Sequence, residues 1–405
     1  RFRSLLAGRG PALAQSLRTG FRDDPGEALA SEIIPLAEAC RFLEREVPRL
    51  LKTHRRGPGL SPIGLRIVER REPIGVILVI GPANYPFFLP GVQALQAVAA
   101  GNVAVLKPGL GGGPALRSMV ELAREAGFPA AVFQVLPDTV EAGREAIACG
   151  PDKVVLTGSA ESGGAVLGDL AERLIPAVVE LSGCDAVFVR EDADLGRVVP
   201  VLRFGLRWNR GATCIAPRRV FVARVLAADL ERLLVEALGQ DEAVALPGPN
   251  LEALRRTGAE LEADGARKLC GEIMPNGRVT PHLYAGVEGR APRIGDIFAP
   301  VLVITSVRHD EEALRLDSAC PHGLGAVVFG RESGARELAK KIDAGCVTIN
   351  DAIAPTADPR VSFGGRHRSG FGMTRGPHGV LELTVPKLVV ERRGRFLPHL
   401  EEMTP

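Results

Sequence analysis

Short, nearly continuous apolar runs separated by helix-length stretches constrain this chain more than any other feature. Residues 74–80 are β-branched and apolar and stop at Gly81-Pro82. Residues 103–106 and 154–156 repeat that pattern. A strand that is apolar on both faces has both faces covered, which is the signature of a parallel sheet flanked by helices. Apolar residues recur at helical spacing over 93–100, 115–126, 140–148 and 163–173, between those runs and two further strands at 132–135 and 177–181. Such alternation predicts an α/β fold with a doubly wound, Rossmann-like unit.

The second half has the same rhythm. Helices are predicted over 195–208, 227–238, 251–269, 311–315 and 334–342, and strands over 220–222, 301–305, 325–329 and 346–349. Residues 242–249 are a poor, proline-containing segment. Residues 26–52 have helical periodicity, a Gly/Pro-rich loop follows at 56–62, and 65–69 and 381–391 read as strands. The chain has 405 residues, which suggests two or three domains.

Composition excludes several classes. With 46% apolar and 24% charged residues, the chain is not disordered. Fifty basic residues against 48 acidic ones give no reason to expect nucleic acid or an anionic membrane as partner. The longest apolar run falls far short of the ~20 residues of a spanning helix. The polar, Arg-rich start does not read as a secretory leader. Seven unevenly spaced cysteines form no disulfide framework and read as reduced thiols of a cytoplasmic protein.

Five places could carry chemistry. Cys214 lies in Gly-Ala-Thr-Cys between a predicted helix and strand, where backbone N–H groups could lower a thiol pKa and hold an oxyanion. A small core residue is the commoner role for a free cysteine. Glu180 lies at the end of an apolar strand, where a carboxylate is costly unless it is paired or has a task. Asn84 follows the 74–80 strand in a Pro-flanked turn, at the end of the sheet where ligands bind. Lys107 closes the 103–106 strand and could meet a ribose or phosphate as readily as solvent. Thr157-Gly158-Ser159-Ala-Glu-Ser-Gly163 links strand to helix and could present amides to an anion, although it matches neither common phosphate-loop pattern. No H-E-x-x-H and no paired C-x-x-C is present, so no metal site is expected. No G-x-S-x-G elbow is present either.

The order of these pieces decides between the readings. Asn84 in N-Y-P, Lys107 in L-K-P, Gly158-Ser159 in T-G-S, Glu180 in E-L-S-G and Cys214 in G-A-T-C resemble the NAD(P)-dependent aldehyde dehydrogenase superfamily. Asp296-Ile-Phe298-Ala-Pro-Val, Ser362-Phe-Gly-Gly and Glu382-Leu-Thr-Val-Pro-Lys resemble its later elements. The resemblance implies oxidation of an aldehyde to a carboxylic acid. Cys214 would be the nucleophile, Asn84 an oxyanion donor and Glu180 the general base. Lys107, Gly158, Ser159, Gly163, Asp296 and Phe298 would hold NAD or NADP.

Family members often have Trp before the Asn and Gln before the residue pair ending in the nucleophile. Ala83 and Ala212 stand there in this chain. Leu110 occupies the position where NAD-preferring members carry a Glu, and Asp296 replaces a longer Glu. The implied architecture is a cofactor domain over 1–182 with bridging strands near 63–73, a catalytic domain over 183–375 and a C-terminal oligomerisation strand and tail over 376–405. A homodimer or homotetramer would follow. Phe87, Phe88, Phe204 and Trp208 are candidates for an apolar substrate funnel, although aromatic residues near helices are more often core. Rival readings are an acylating, coenzyme A-dependent enzyme or reductase, and a non-catalytic relative.

Overall fold

The structure, a computed structural model, describes residues 1–56 and 65–392. The predicted loop at 56–62 lies mostly outside the described residues.

The apolar runs form the centre of a six-stranded sheet. Its order is Gly370–Phe371, Ala177–Leu181, Lys153–Gly158, Val76–Ile80, Val103–Lys107 and Phe133–Val135, all parallel except the first. Ile77, Leu78 and Val79 are almost wholly buried because helices cover both faces. Chain order runs outward one way from Val76–Ile80 and then restarts on its other side. The crevice beyond the carboxyl ends of Val76–Ile80 and Lys153–Gly158 is therefore a topological switch point, the usual ligand site of such sheets.

A seven-stranded sheet forms the second unit, ordered Arg267–Cys270, His282–Ala285, Val301–Val307, Pro217–Ala223, Asp185–Val189, Gly325–Phe329 and Cys346–Ile349. Only its first pair is antiparallel. The third element is a three-stranded antiparallel sheet of His54–Arg56, Leu65–Pro73 and Thr384–Arg392. Residues 370–371 and the helix Gly376–Glu382 return to pack on the first unit.

Several elements differ from the sequence reading. The helix predicted over 251–269 ends at Ala263, and Arg267–Cys270 is an edge strand. Gly265, at φ +93°, makes the turn between them. The predicted strand over 381–391 is the end of a helix followed by Thr384–Arg392. Asp185–Val189 is a separate strand of the second sheet, and Phe2–Ser16 is a helix despite Pro11. No helix among the described residues is long and apolar enough to cross a membrane.

Candidate active site

Between the two large sheets lies a cleft of about 580 Å³. Asn84, Lys107, Gly158, Ser159, Glu180, Cys214, Asp296 and Phe298 all line it. Gly163 does not. A Cβ there would sit 2.7 Å from Leu181, so its part is to let the helix Ala160–Ala171 approach the strand Ala177–Leu181.

The Asn84 turn is held from behind. Glu32 is fully buried and pairs with the equally buried Arg22. It also accepts the N–H groups of Phe87 (3.1 Å) and Phe88 (2.6 Å), at the start of the helix Phe88–Ala99. A carboxylate at a helix N-terminus satisfies donors that the helix leaves open. Asn84 Oδ1 accepts Tyr85 N–H, and Asn84 Nδ2 donates to the Ala212 carbonyl at 2.8 Å. One of its two amide hydrogens is thus used to tie the turn to the cysteine loop, and the other remains for a ligand.

That loop begins in an unusual conformation. Asn209 (φ 50°), Arg210 (φ 53°) and Gly211 (φ 74°) are three consecutive left-handed residues. Each non-glycine residue there costs about 1–3 kcal/mol and persists only where its surroundings impose it. Here Glu27 accepts the Asn209 N–H, and Arg210 bonds Asp23, the Gly20 carbonyl (3.1 Å) and the Ala245 carbonyl (3.0 Å). At Gly211 a Cβ would lie 2.6 Å from the Ala299 oxygen. The turn delivers Cys214 to the cleft floor, partly exposed and packed on Ile215, Leu324 and Phe363. Its carbonyl accepts the Gly183 N–H at 3.2 Å, and its own N–H has no protein acceptor among the described residues.

Glu180 is 1% exposed. Thr374 Oγ1 donates to its Oε2, whereas Oε1 has no partner. Burial pushes the carboxyl above its ordinary range, against the pull of Arg375 and Thr374. Burial, then Glu180 and Asp185, push the Cys214 thiol well above 9.0. Lys107 is half-buried and its ammonium is pushed down by burial. Ser159 caps the helix Ala160–Ala171, accepting the Ser162 N–H at 3.1 Å. A nicotinamide dinucleotide suits this layout. The N-terminus of the helix Ala160–Ala171 opens on the crevice for a pyrophosphate, and Lys107, Asp296, Phe298 and Cys214 line the same cleft. Asp296 is fixed by Ser182 Oγ at 2.6 Å, and Phe298 by edge contact with Phe21.

The aromatic funnel is corrected. Phe87 and Phe88 are buried core residues, because the helix they start packs inward. Phe204 and Trp208 stack on each other, ring centroids 4.9 Å apart, in a separate groove with Glu27, Arg203 and Arg207. Leu110 is 79% exposed. Thr374, Glu32 and the cleft residues Arg144 and Asp169 escaped the sequence reading, since nothing local marks them. No group of three or more His, Cys, Asp or Glu able to hold a metal occurs among the described residues.

A model described as the aldehyde dehydrogenase family matches residues 1–389. Over 398 residues the sequence is 29% identical to 4,4'-diapolycopene aldehyde oxidase of Methylomonas sp, spanning 95% of this chain and 75% of that protein. The fold resembles a Mycobacterium tuberculosis aldehyde dehydrogenase complexed with NAD+ at TM-score 0.89 and 25% identity, covering 98% and 84% of the two chains. It also resembles an NADP-dependent glyceraldehyde-3-phosphate dehydrogenase from Bacillus halodurans C-125 complexed with NADP, at TM-score 0.88 and 26% identity, covering 96% and 85%.

Proposed function

The chain belongs to the aldehyde dehydrogenase family, and from that premise we propose that it oxidises an aldehyde to a carboxylic acid with NAD+ or NADP+ through a thioester on Cys214. The observation that carries this reading is the meeting of Cys214 and Glu180, from different sheets' ends, on one cleft wall with an open Glu180 oxygen.

The Cys214 thiol gives up its proton to water in the cleft, and its sulfur attacks the aldehyde carbon, forming a C–S bond and leaving an alkoxide. The Cys214 N–H and the second N–H of Asn84 hold that oxygen. The bound nicotinamide ring supplies the acceptor for hydride. The acyl group is then a thioester on Cys214. Glu180 Oε1 takes a proton from water, whose oxygen bonds the acyl carbon. The C–S bond breaks, the sulfur leaves as thiolate and the acid departs. A buried carboxyl with a raised pKa suits proton transfer near neutrality better than an exposed one.

Purified protein, an aldehyde panel and NAD+ or NADP+ test this through absorbance of the reduced cofactor. Cys214→Ala is expected to lower turnover by on the order of 10³-fold or more. Full activity in that variant would end the proposal. Turnover that depends on added coenzyme A would point to acyl transfer. Failure of calorimetry to detect either cofactor would point to a non-catalytic relative.

Subunit pairing is assigned to the strand Thr384–Arg392, an edge strand among the described residues, with Leu388 60% and Val390 56% exposed on one face. The double substitution Leu388→Glu, Val390→Glu should convert an oligomer to monomer by light scattering. A wild type already of single-chain mass would overturn the assignment.

A further inference from the structure

Behind the cleft, two thiols that the proposed reaction does not use share one apolar cluster. Cys184 is 1% exposed, immediately before the strand Asp185–Val189. Cys320 lies in the loop after the helix Asp310–Asp317 and is only partly buried. They come from segments far apart in sequence. Both pack in one apolar cluster with Ile294 and Ile297, where Cys184 Sγ donates to the Ile294 carbonyl at 3.2 Å.

The surroundings suit thiol chemistry. The buried Arg219 guanidinium donates through Nε (2.9 Å) and Nη2 (2.8 Å) to the Cys184 carbonyl. It pairs with Asp317 at 2.8 Å, and the Cys320 N–H bonds the Asp317 carbonyl at 2.9 Å. One cation therefore ties both cysteine-bearing segments together and stands beside both sulfurs. The Cys184 thiol and Arg219 hold the Cys320 thiol below its ordinary range, while the Cys320 thiol and then burial push Cys184 up. One reachable thiol in the same cluster as one sealed thiol is the arrangement in which an oxidised cysteine meets its resolving partner.

We propose that Cys184 and Cys320 are a modification site, closing to a reversible disulfide when the protein meets a hydroperoxide. The Cys320 thiolate attacks the peroxide. An S–O bond forms, the O–O bond breaks, and the departing oxygen takes a proton, leaving a sulfenic acid. Cys184 gives up its proton and attacks that sulfur. The S–S bond forms and hydroxide leaves, taking the proton as water. Two thiols are oxidised by two electrons and one hydroperoxide is reduced. A dithiol reverses the exchange.

The bridge would bear on the cleft through short links. Gly183, next to Cys184, donates to the Cys214 carbonyl, and Ser182 holds Asp296. The Ser182 carbonyl accepts from Ser369 Oγ and lies 3.2 Å from His322 Nδ1, two residues beyond Cys320. Drawing the sulfurs to bonding distance moves this peptide, so the oxidised protein should turn over more slowly while resisting heat better.

The full chain carrying Cys214→Ser is treated with hydrogen peroxide, so that the cleft thiol takes no part, and digested without reduction. The expected result is one cross-linked peptide pair joining Cys184 to Cys320. It should be accompanied by a rise in Tm of several degrees, and dithiothreitol should undo both. Cys320→Ser and, separately, Cys184→Ser should lose the cross-link and the Tm rise. In the chain with Cys214 intact, turnover lost to peroxide should return with dithiothreitol to a greater extent than in Cys320→Ser. Both thiols still free to alkylation after unfolding, once the exposed Cys149 has been oxidised, would overturn the proposal. So would a bridge between any other pair. Neither result bears on the aldehyde reaction, which is read from a different assay.

Discussion

Cys214 and Cys320 are both partly buried thiols in loops beside the same sheet, yet their surroundings drive them in opposite directions. Carboxyls flank Cys214, and burial with Glu180 and Asp185 keeps its proton on. Cys320 has the Cys184 thiol and the Arg219 guanidinium for neighbours, and both favour its thiolate. Reactivity therefore cannot be ranked by exposure. In the free protein the proposed nucleophile rests as the thiol. It needs its proton removed as the reaction begins, whereas the surroundings of the rear thiol favour the thiolate from the start.

The contrast can be broken most forcefully at Glu180. Glu180→Gln should lower steady-state turnover by roughly 10²-fold or more, because water loses its base. A single burst of reduced cofactor should survive, since acylation comes first. Glu180 acts as a base only when ionised and its folded pKa is raised. Wild-type activity should therefore decline as pH falls through that raised value, and the variant should lack this acid limb. Disappearance of the burst as well would show that Glu180 also takes the Cys214 proton.

A smaller effect sharpens the same contrast. Native protein alkylated with iodoacetamide over a pH series and mapped by mass should show Cys320 reacting with a midpoint below the ordinary thiol range. Cys214 should react with a midpoint above 9.0. In Glu180→Gln the Cys214 midpoint should move down, because a neighbouring carboxylate is gone. A reversed order of the two thiols would refute the electrostatic account of both.

What could be read from the sequence follows from how each feature is encoded. The strands at the cofactor crevice are continuous apolar runs, and their ends were placed well enough to locate Asn84, Lys107 and Ser159 beside one another. Asp185–Val189 escapes the reading because it starts only four residues after Ala177–Leu181 ends, with no helix between them of the kind that separates the other strands. His282–Ala285 was missed because its buried histidine interrupts the pattern. Phe2–Ser16 hides behind two glycines and a proline. The Glu180–Thr374 contact and the Cys184–Cys320 pairing join residues more than a hundred positions apart. No local periodicity carries such contacts.

The left-handed turn at Asn209–Gly211 has a consequence for where the proposed nucleophile is controlled. Its strain is held by Asp23 and Glu27, nearly two hundred positions upstream and outside the cleft. Those two carboxylates work as a remote latch. Substitutions there can detune chemistry at a sulfur they never approach, and a map of the reaction centre drawn only from its walls would leave them out.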